Sequence, residues 1–254
     1  MVSAVESIGQ LHENYSDFAT SQGSPSNFED CLIWNLIDLE NANYNPLPHA
    51  VTADNGDVTL TMGYGLDIDR YGDWSEVRQL LVYGYGGESS LSQLQVQGLE
   101  LLRQYKENES TWSAEDMVDM AQGQASPSGE WNQQQAAAVA SLSLNSDQAE
   151  LILRAITFGA PDAGVTEQES IVGAVRRIIR NNYNIDGDFP ESTELVSIVI
   201  MRFRGDFTGF NSAFNSPEYS AGAERRAEFW WRIVNKIEAI ADNQTGVKLS
   251  LIHI

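Results

Sequence analysis

The chain has 254 residues, 42% of them hydrophobic and 9% aromatic, and its 36 acidic against 15 basic side chains leave a net charge of −21. That length suffices for one sizeable core, or for a main unit with a small satellite. The acidity makes nucleic acid and anionic membrane surfaces poor partners. No apolar run reaches the roughly 18 to 20 residues of a membrane span. The start, MVSAVESIGQ, has neither the basic n-region nor the apolar h-region of a secretory signal, so an extracytoplasmic role would need another delivery route. One cysteine, Cys31, excludes an internal disulfide, and its setting beside Leu32 and Ile33 reads as a buried structural thiol. His12, His49 and His253 are scattered singly, which argues against a histidine-based zinc site.

In chain order, residues 1–26 form a polar lead-in rich in Ser, Asn and Gln. Ser26 and Glu29 have capping-box spacing and open a helix over 28–40, with Phe28, Cys31, Leu32, Leu36 and Leu39 on one stripe. Asn41 to Asn43 and Pro46 end it, leaving Glu40 in its last turn. The negative end of the helix dipole there disfavours a charged carboxylate, and the chain's general acidity acts in the same direction. A β-hairpin follows, with strands at 51–53 and 57–62 around Asp54-Asn55-Gly56, since Asn-Gly suits a tight hairpin turn. In its second strand Thr59 and Thr61 share one face while Val58, Leu60 and Met62 share the other. Gly63-Tyr64-Gly65 makes a turn after it.

From residue 73 onward the apolar spacing is helical, near 74–83, 89–106, 114–121, 130–143, 147–157, 167–181, 191–203 and 221–241. A second capping box is expected at Thr166 to Glu169, and residues 123–129 form a loop. The fold class is therefore α+β: a small hairpin sheet near the N-terminal third and a large, mostly helical body. Residues 27–254 are read as one domain, with a hairpin subdomain about 44–70 and a helical body about 73–245.

Glycoside hydrolysis commonly uses two carboxylates, one protonating the leaving oxygen and the other activating water or steadying positive charge at the sugar carbon. Glu40 at a helix end, and Thr61 and Asp67 at and after a strand, with Asp54, Asp57 and Asp69 nearby, fit an open groove with carboxyls on its walls. Leu36-Ile37-Asp38-Leu39-Glu40, then Tyr44, Asn45 and Pro46, then Thr61-Met62-Gly63-Tyr64-Gly65 resemble the opening of phage-type lysozymes. Asp67, six positions past Thr61, brings the resemblance nearest to the pesticin-like muramidases. The resemblance implies a lysozyme-like fold, with Glu40 as the acid, Thr61 positioning the attacking water and Asp67 as the second carboxylate. In the T-even phage lysozymes that carboxylate precedes the threonine by six positions; here Asn55 stands there, flanked by Asp54 and Asp57. Asp57 is thus the alternative to Asp67.

Glu224-Arg225-Arg226-Ala227-Glu228 is similar to an arginine-bearing stretch of the same family, which makes Arg225 or Arg226 a candidate substrate-binding residue beside Tyr64. The resemblance covers residues 28–70 and this fragment. It implies cleavage of the β-1,4 bond between N-acetylmuramic acid and N-acetylglucosamine in peptidoglycan, without a cofactor, by a monomer. The implied setting is an antibacterial effector that a secretion apparatus carries into a target periplasm and a cognate immunity protein restrains. The alternatives are a phage endolysin, a chitinase- or chitosanase-like hydrolase, and an inactive wall-binding module. Two acidic loops echo calcium-binding loops: residues 182–193, with Gly187 at position six but Thr193 at position twelve, and residues 67–73.

Overall fold

A computed structural model describes residues 28–40, 44–52 and 56–183, and positions 191, 195, 196, 199 and 203, with side chains at all of these but 38–40, 178–179 and 181–183. The elements are α1 (Phe28–Glu40), β1 (Asn45–Thr52), β2 (Val58–Gly63), β3 (Leu66–Asp67), α2 (Trp74–Gly84), α3 (Gln93–Lys106), α4 (Ala114–Ala121), α5 (Gln133–Ala140), α6 (Ser146–Phe158) and α7 (Ile171–Tyr183). Short 3-10 turns lie at Glu88–Ser90 and Pro161–Ala163. The described residues form an α+β structure with a helical majority.

The chain divides into two compact units, Ile37–Glu167 and a second made of Met1–Leu36 with Gln168–Ile254. In the second unit the expected stripe of α1 is buried at Phe28, Cys31, Leu32 and Leu36, as are Val172 and Val175 of α7. Cys31 is 1% exposed, its thiol pushed up to about 12 by burial despite a hydrogen bond from Asn35. The α7 helix starts at Ile171 rather than at 167: residues 167–169 form a turn, and Ser170 Oγ accepts from the Gly173 amide at 3.0 Å. The capping box expected at Thr166 is therefore not the start of the helix. Ser26, Leu39, the 182–193 loop as a whole, and the helix expected over 221–241 lie outside the described residues or side chains.

The unit Ile37–Glu167 is built from local signals that close each helix end. Asp73, Ser92, Ser113, Asn132 and Asn145 each cap the helix that follows, and the residue at the third helical position (Glu76, Gln95, Asp116, Gln135, Gln148) reaches back to the cap's own amide. These reciprocal boxes satisfy amides that a helix start leaves without partners. They also correct two starts, since α3 opens at Gln93 and α5 at Gln133, later than the apolar spacing suggests. Trp131, outside α5, is buried in the core, its indole donating to the Gln124 carbonyl at 2.7 Å.

The sheet is antiparallel in the order β1-β2-β3. Two features of it differ from expectation. β1 begins at Asn45 instead of 51 and runs through Pro46 and Pro48. Proline is tolerated because β1 is an edge strand with an irregularity between Asn45 and His49, where fewer ladder amides are needed. The Pro46 carbonyl instead accepts from the Leu144 amide at 2.8 Å. The turn Gly63-Tyr64-Gly65 leads into a third strand, with Gly63 and Gly65 at φ 57° and 86°, conformations that glycine adopts without strain.

One sheet face enters the core. Leu60 and Met62 are fully buried together with Ile68, Leu80, Leu81, Leu102, Met117 and Met120, and Leu66 is buried beside them. Each such side chain contributes about 1.5 to 3 kcal/mol relative to exposure. α4 lies against β1 and β2, α6 against β2, α5 against both α3 and α4, and α2 against α6. The α3–α5 crossing is close because Gly98 has no side chain; a Cβ there would sit 2.3 Å from the Ala138 carbonyl oxygen.

Candidate functional site

Register places the site residues. Thr61 pairs with Asp67 and Met62 with Leu66, while the Ile68 amide donates to the Leu60 carbonyl at 2.8 Å. Since hydrogen-bonded and non-hydrogen-bonded pairs alternate, Thr61 and Asp67 form a non-hydrogen-bonded pair, the closer kind, with Cα atoms ~4.5 Å apart and side chains on one face. Leu60 and Met62 occupy the opposite, core face. Both threonines of β2 are nonetheless buried, Thr61 being 7% exposed, so the strand is covered on its two faces along most of its length.

The Asp67 carboxylate is held in one orientation. Its Oδ1 accepts from the amides of Asp69 and Arg70, each at 3.1 Å, and its Oδ2 lies 3.7 Å from Arg70 Nε. This turn leaves Oδ2, on a side chain 28% exposed, with lone-pair capacity for a further donor such as water. Asp57 is exposed and four residues before Thr61 on the way into β2, which at ~3.3 Å per residue is ~13 Å along the strand. Tyr64, half-buried, packs on Tyr44 with ring centroids 4.7 Å apart and planes 32° off parallel. The Tyr44 hydroxyl donates to the Leu144 carbonyl at 3.0 Å. Burial first, then Tyr44, Glu150 and Asp147, push the Tyr64 phenol up.

Behind Asp67 stands a brace that its neighbours in sequence do not announce. The Leu60 amide, next along the strand, donates to Asp69 Oδ2 at 2.6 Å rather than to the Ile68 carbonyl. Asp69 Oδ2 also accepts from the Tyr105 hydroxyl at 2.9 Å. The Ile68 carbonyl accepts from Lys106 Nζ at 2.6 Å, and the same ammonium reaches the carbonyls of Tyr71 at 3.0 Å and Asp69 at 3.4 Å. An acid and a base thus replace the missing rung of the ladder. The 67–73 loop, with its calcium-loop appearance, turns its carbonyls onto a lysine of α3. No group of three or more His, Cys, Asp or Glu arranged for a metal ion occurs among the described residues.

A third side chain belongs to the Thr61–Asp67 row. His49 of β1 is the register partner of Thr61 on its other side, so His49, Thr61 and Asp67 lie in line across the three strands on one face. His49 Nδ1 is 3.3 Å from the Leu47 carbonyl. The sequence carries no motif around His49; its place follows from pairing alone.

Glu40 is the last residue of α1 and belongs to the same compact unit as Thr61 and Asp67; its side chain lies outside the described residues, as do Arg225 and Arg226. A scan against protein-family models and searches of curated proteins and of solved structures find no match to this chain.

Proposed function

We propose that this chain is a muramidase, hydrolysing the β-1,4 bond between N-acetylmuramic acid and N-acetylglucosamine in peptidoglycan. The observation that carries the reading is the in-register pairing of Thr61 with Asp67, on a sheet that follows directly on the helix ending at Glu40. A hydroxyl and an oriented carboxylate side by side can hold one water between them, and the half-exposed Tyr64 ring offers a surface for a sugar. The pairing also favours Asp67 over Asp57 as the second carboxylate, because one lies opposite Thr61 and the other ~13 Å along the strand.

In this mechanism Glu40 donates its proton to the glycosidic oxygen as the bond from that oxygen to the sugar carbon breaks. The water held by Thr61 and Asp67 forms the new bond to that carbon and gives its proton to Asp67. Direct attack by water inverts the anomeric centre, which NMR of fresh digests reads. Delivery into the periplasm of a target bacterium suits the net charge of −21, since anionic teichoic acids would repel this chain from thick walls. Among the described residues no helix is long and apolar enough to cross a membrane.

Mass spectrometry of peptidoglycan digested with the full chain tests the proposal: reducing muramic acid ends are expected, and Glu40→Gln and Asp67→Asn should each abolish them while Asp57→Asn keeps them. Binding to peptidoglycan without any released ends would instead favour an inactive wall-binding module. Equal lysis of purified thin and thick walls at low ionic strength would count against the periplasmic target.

A further inference from the structure

The geometry points to His49 as a positioning residue that orients the Thr61 hydroxyl for the attacking water. The inference rests on the hydrolase reading and deepens it. Register sets His49 directly across from Thr61, as Asp67 is from the other side, so the three side chains occupy one row on one face. Directly opposed residues of an antiparallel pair have Cβ atoms ~4.5 to 5.5 Å apart, within reach of an imidazole and a hydroxyl.

The tautomer of the neutral ring follows from its neighbour. A carbonyl oxygen only accepts, so the contact of Nδ1 with the Leu47 carbonyl at 3.3 Å requires the proton on Nδ1. In the neutral ring that leaves Nε2 as an acceptor. A threonine hydroxyl has one proton to donate and two lone pairs to offer. When it donates to His49 Nε2, its lone pairs turn toward the water and accept a hydrogen bond from one of the water's O–H groups, that proton staying on the water oxygen. The second water proton faces Asp67, which takes it as the oxygen bonds to the sugar carbon. Without an acceptor at His49 the hydroxyl can rotate and donate to the water instead, competing for the lone pair that attacks. His49 therefore acts through Thr61, and its loss should lower kcat while leaving KM in place.

Steady-state kinetics on soluble peptidoglycan fragments test this with four variants of the full chain. His49→Phe keeps the ring's bulk and removes the acceptor; kcat is expected to fall roughly 10- to 100-fold at unchanged KM. His49→Gln returns an acceptor near the Nε2 position and should recover part of the loss. In a Thr61→Val background the His49→Phe change should have no further effect, because residues that act as a unit are not additive. Wild-type kcat in His49→Phe, or losses that multiply in the double variant, would overturn the role of His49. A parent chain that releases no reducing ends removes the hydrolase reading itself, and His49's role with it. Should His49→Phe fail to reach the parent's thermal unfolding profile, His49→Gln alone carries the test. A kcat for folded His49→Gln that falls below the parent's by roughly 100-fold or more, although an acceptor remains there, would also overturn it.

Discussion

Lys106 is the side chain whose removal best tests how the Asp67 loop is held. Its ammonium donates to two carbonyls at 2.6 and 3.0 Å and touches a third at 3.4 Å, in a half-buried setting. A hydrogen bond from a charged donor is worth about 1.5 to 3 kcal/mol when buried. Discounting for partial exposure and neglecting the longest contact, Lys106→Met should cost about 2 to 3 kcal/mol. For a cooperative unit the size of Ile37–Glu167 that lowers Tm by on the order of 10 °C. Methionine retains most of the apolar stem, so the loss reports the ammonium rather than packing. The internal control is Arg103 on the same helix, which bridges Glu100, Glu107 and Glu109 at the surface. Arg103→Met should move Tm little, and less still in about 1 M salt, where the Debye length falls to ~3 Å. Differential scanning calorimetry of both variants at low and high salt makes the comparison. Equal shifts for the two, or a Lys106→Met effect abolished by salt, would refute the assignment of the ammonium to the loop carbonyls.

Gly98→Ala gains about 1 kcal/mol of helix propensity but drives a Cβ to 2.3 Å from the Ala138 carbonyl, so the net effect in chemical denaturation should be destabilising by about 1 to 3 kcal/mol. Burial raises the phenols of Tyr85 and Tyr105, the latter raised further by Asp69. A raised folded-state pKa means the unfolded chain deprotonates first, so stability is full below about pH 10 and falls above it by ~1.4 kcal/mol per pH unit for each such tyrosine. Alkaline denaturation followed by circular dichroism should show Tyr85→Phe with the shallower slope, and at neutral pH a loss of about 1 to 2 kcal/mol because the Leu142 carbonyl, bonded at 2.5 Å, loses its donor. Cys31, buried and with its thiol pushed up to about 12, should react with a disulfide reagent only after denaturant is added; rapid labelling of the native chain would contradict its placement.

Much of the helical body was legible in the residues because its signals are local. The expected 114–121 helix and the observed α4 coincide, and α1 runs over the expected 28–40. The helix starts at Gln93 and Gln133 were also written in the sequence, as Ser92 with Gln95 and Asn132 with Gln135, three positions apart; reading apolar period alone put them too early. β1 was legible only from Val51, because Pro46 and Pro48 argue against a strand unless it is known to be an edge. That knowledge is not local.

Composition, caps and periodicity by themselves determined the α+β class, the course of α1 and α4, the hairpin and the buried thiol, since each depends on residues within a few positions of one another. Only the tertiary structure decided that β3 exists, that His49 and Asp67 flank Thr61, and that Asp69, Tyr105 and Lys106 tie the loop to α3. Those contacts join residues 12 positions apart across β1 and β2, and about 36 to 38 apart across the loop and α3. A strand's partner is chosen by burial of its whole face, so a slip of one residue would have turned Thr61 into the core and Leu60 out of it. The physical reason the row was invisible is that pairing energy belongs to the assembled sheet and to no single stretch of chain.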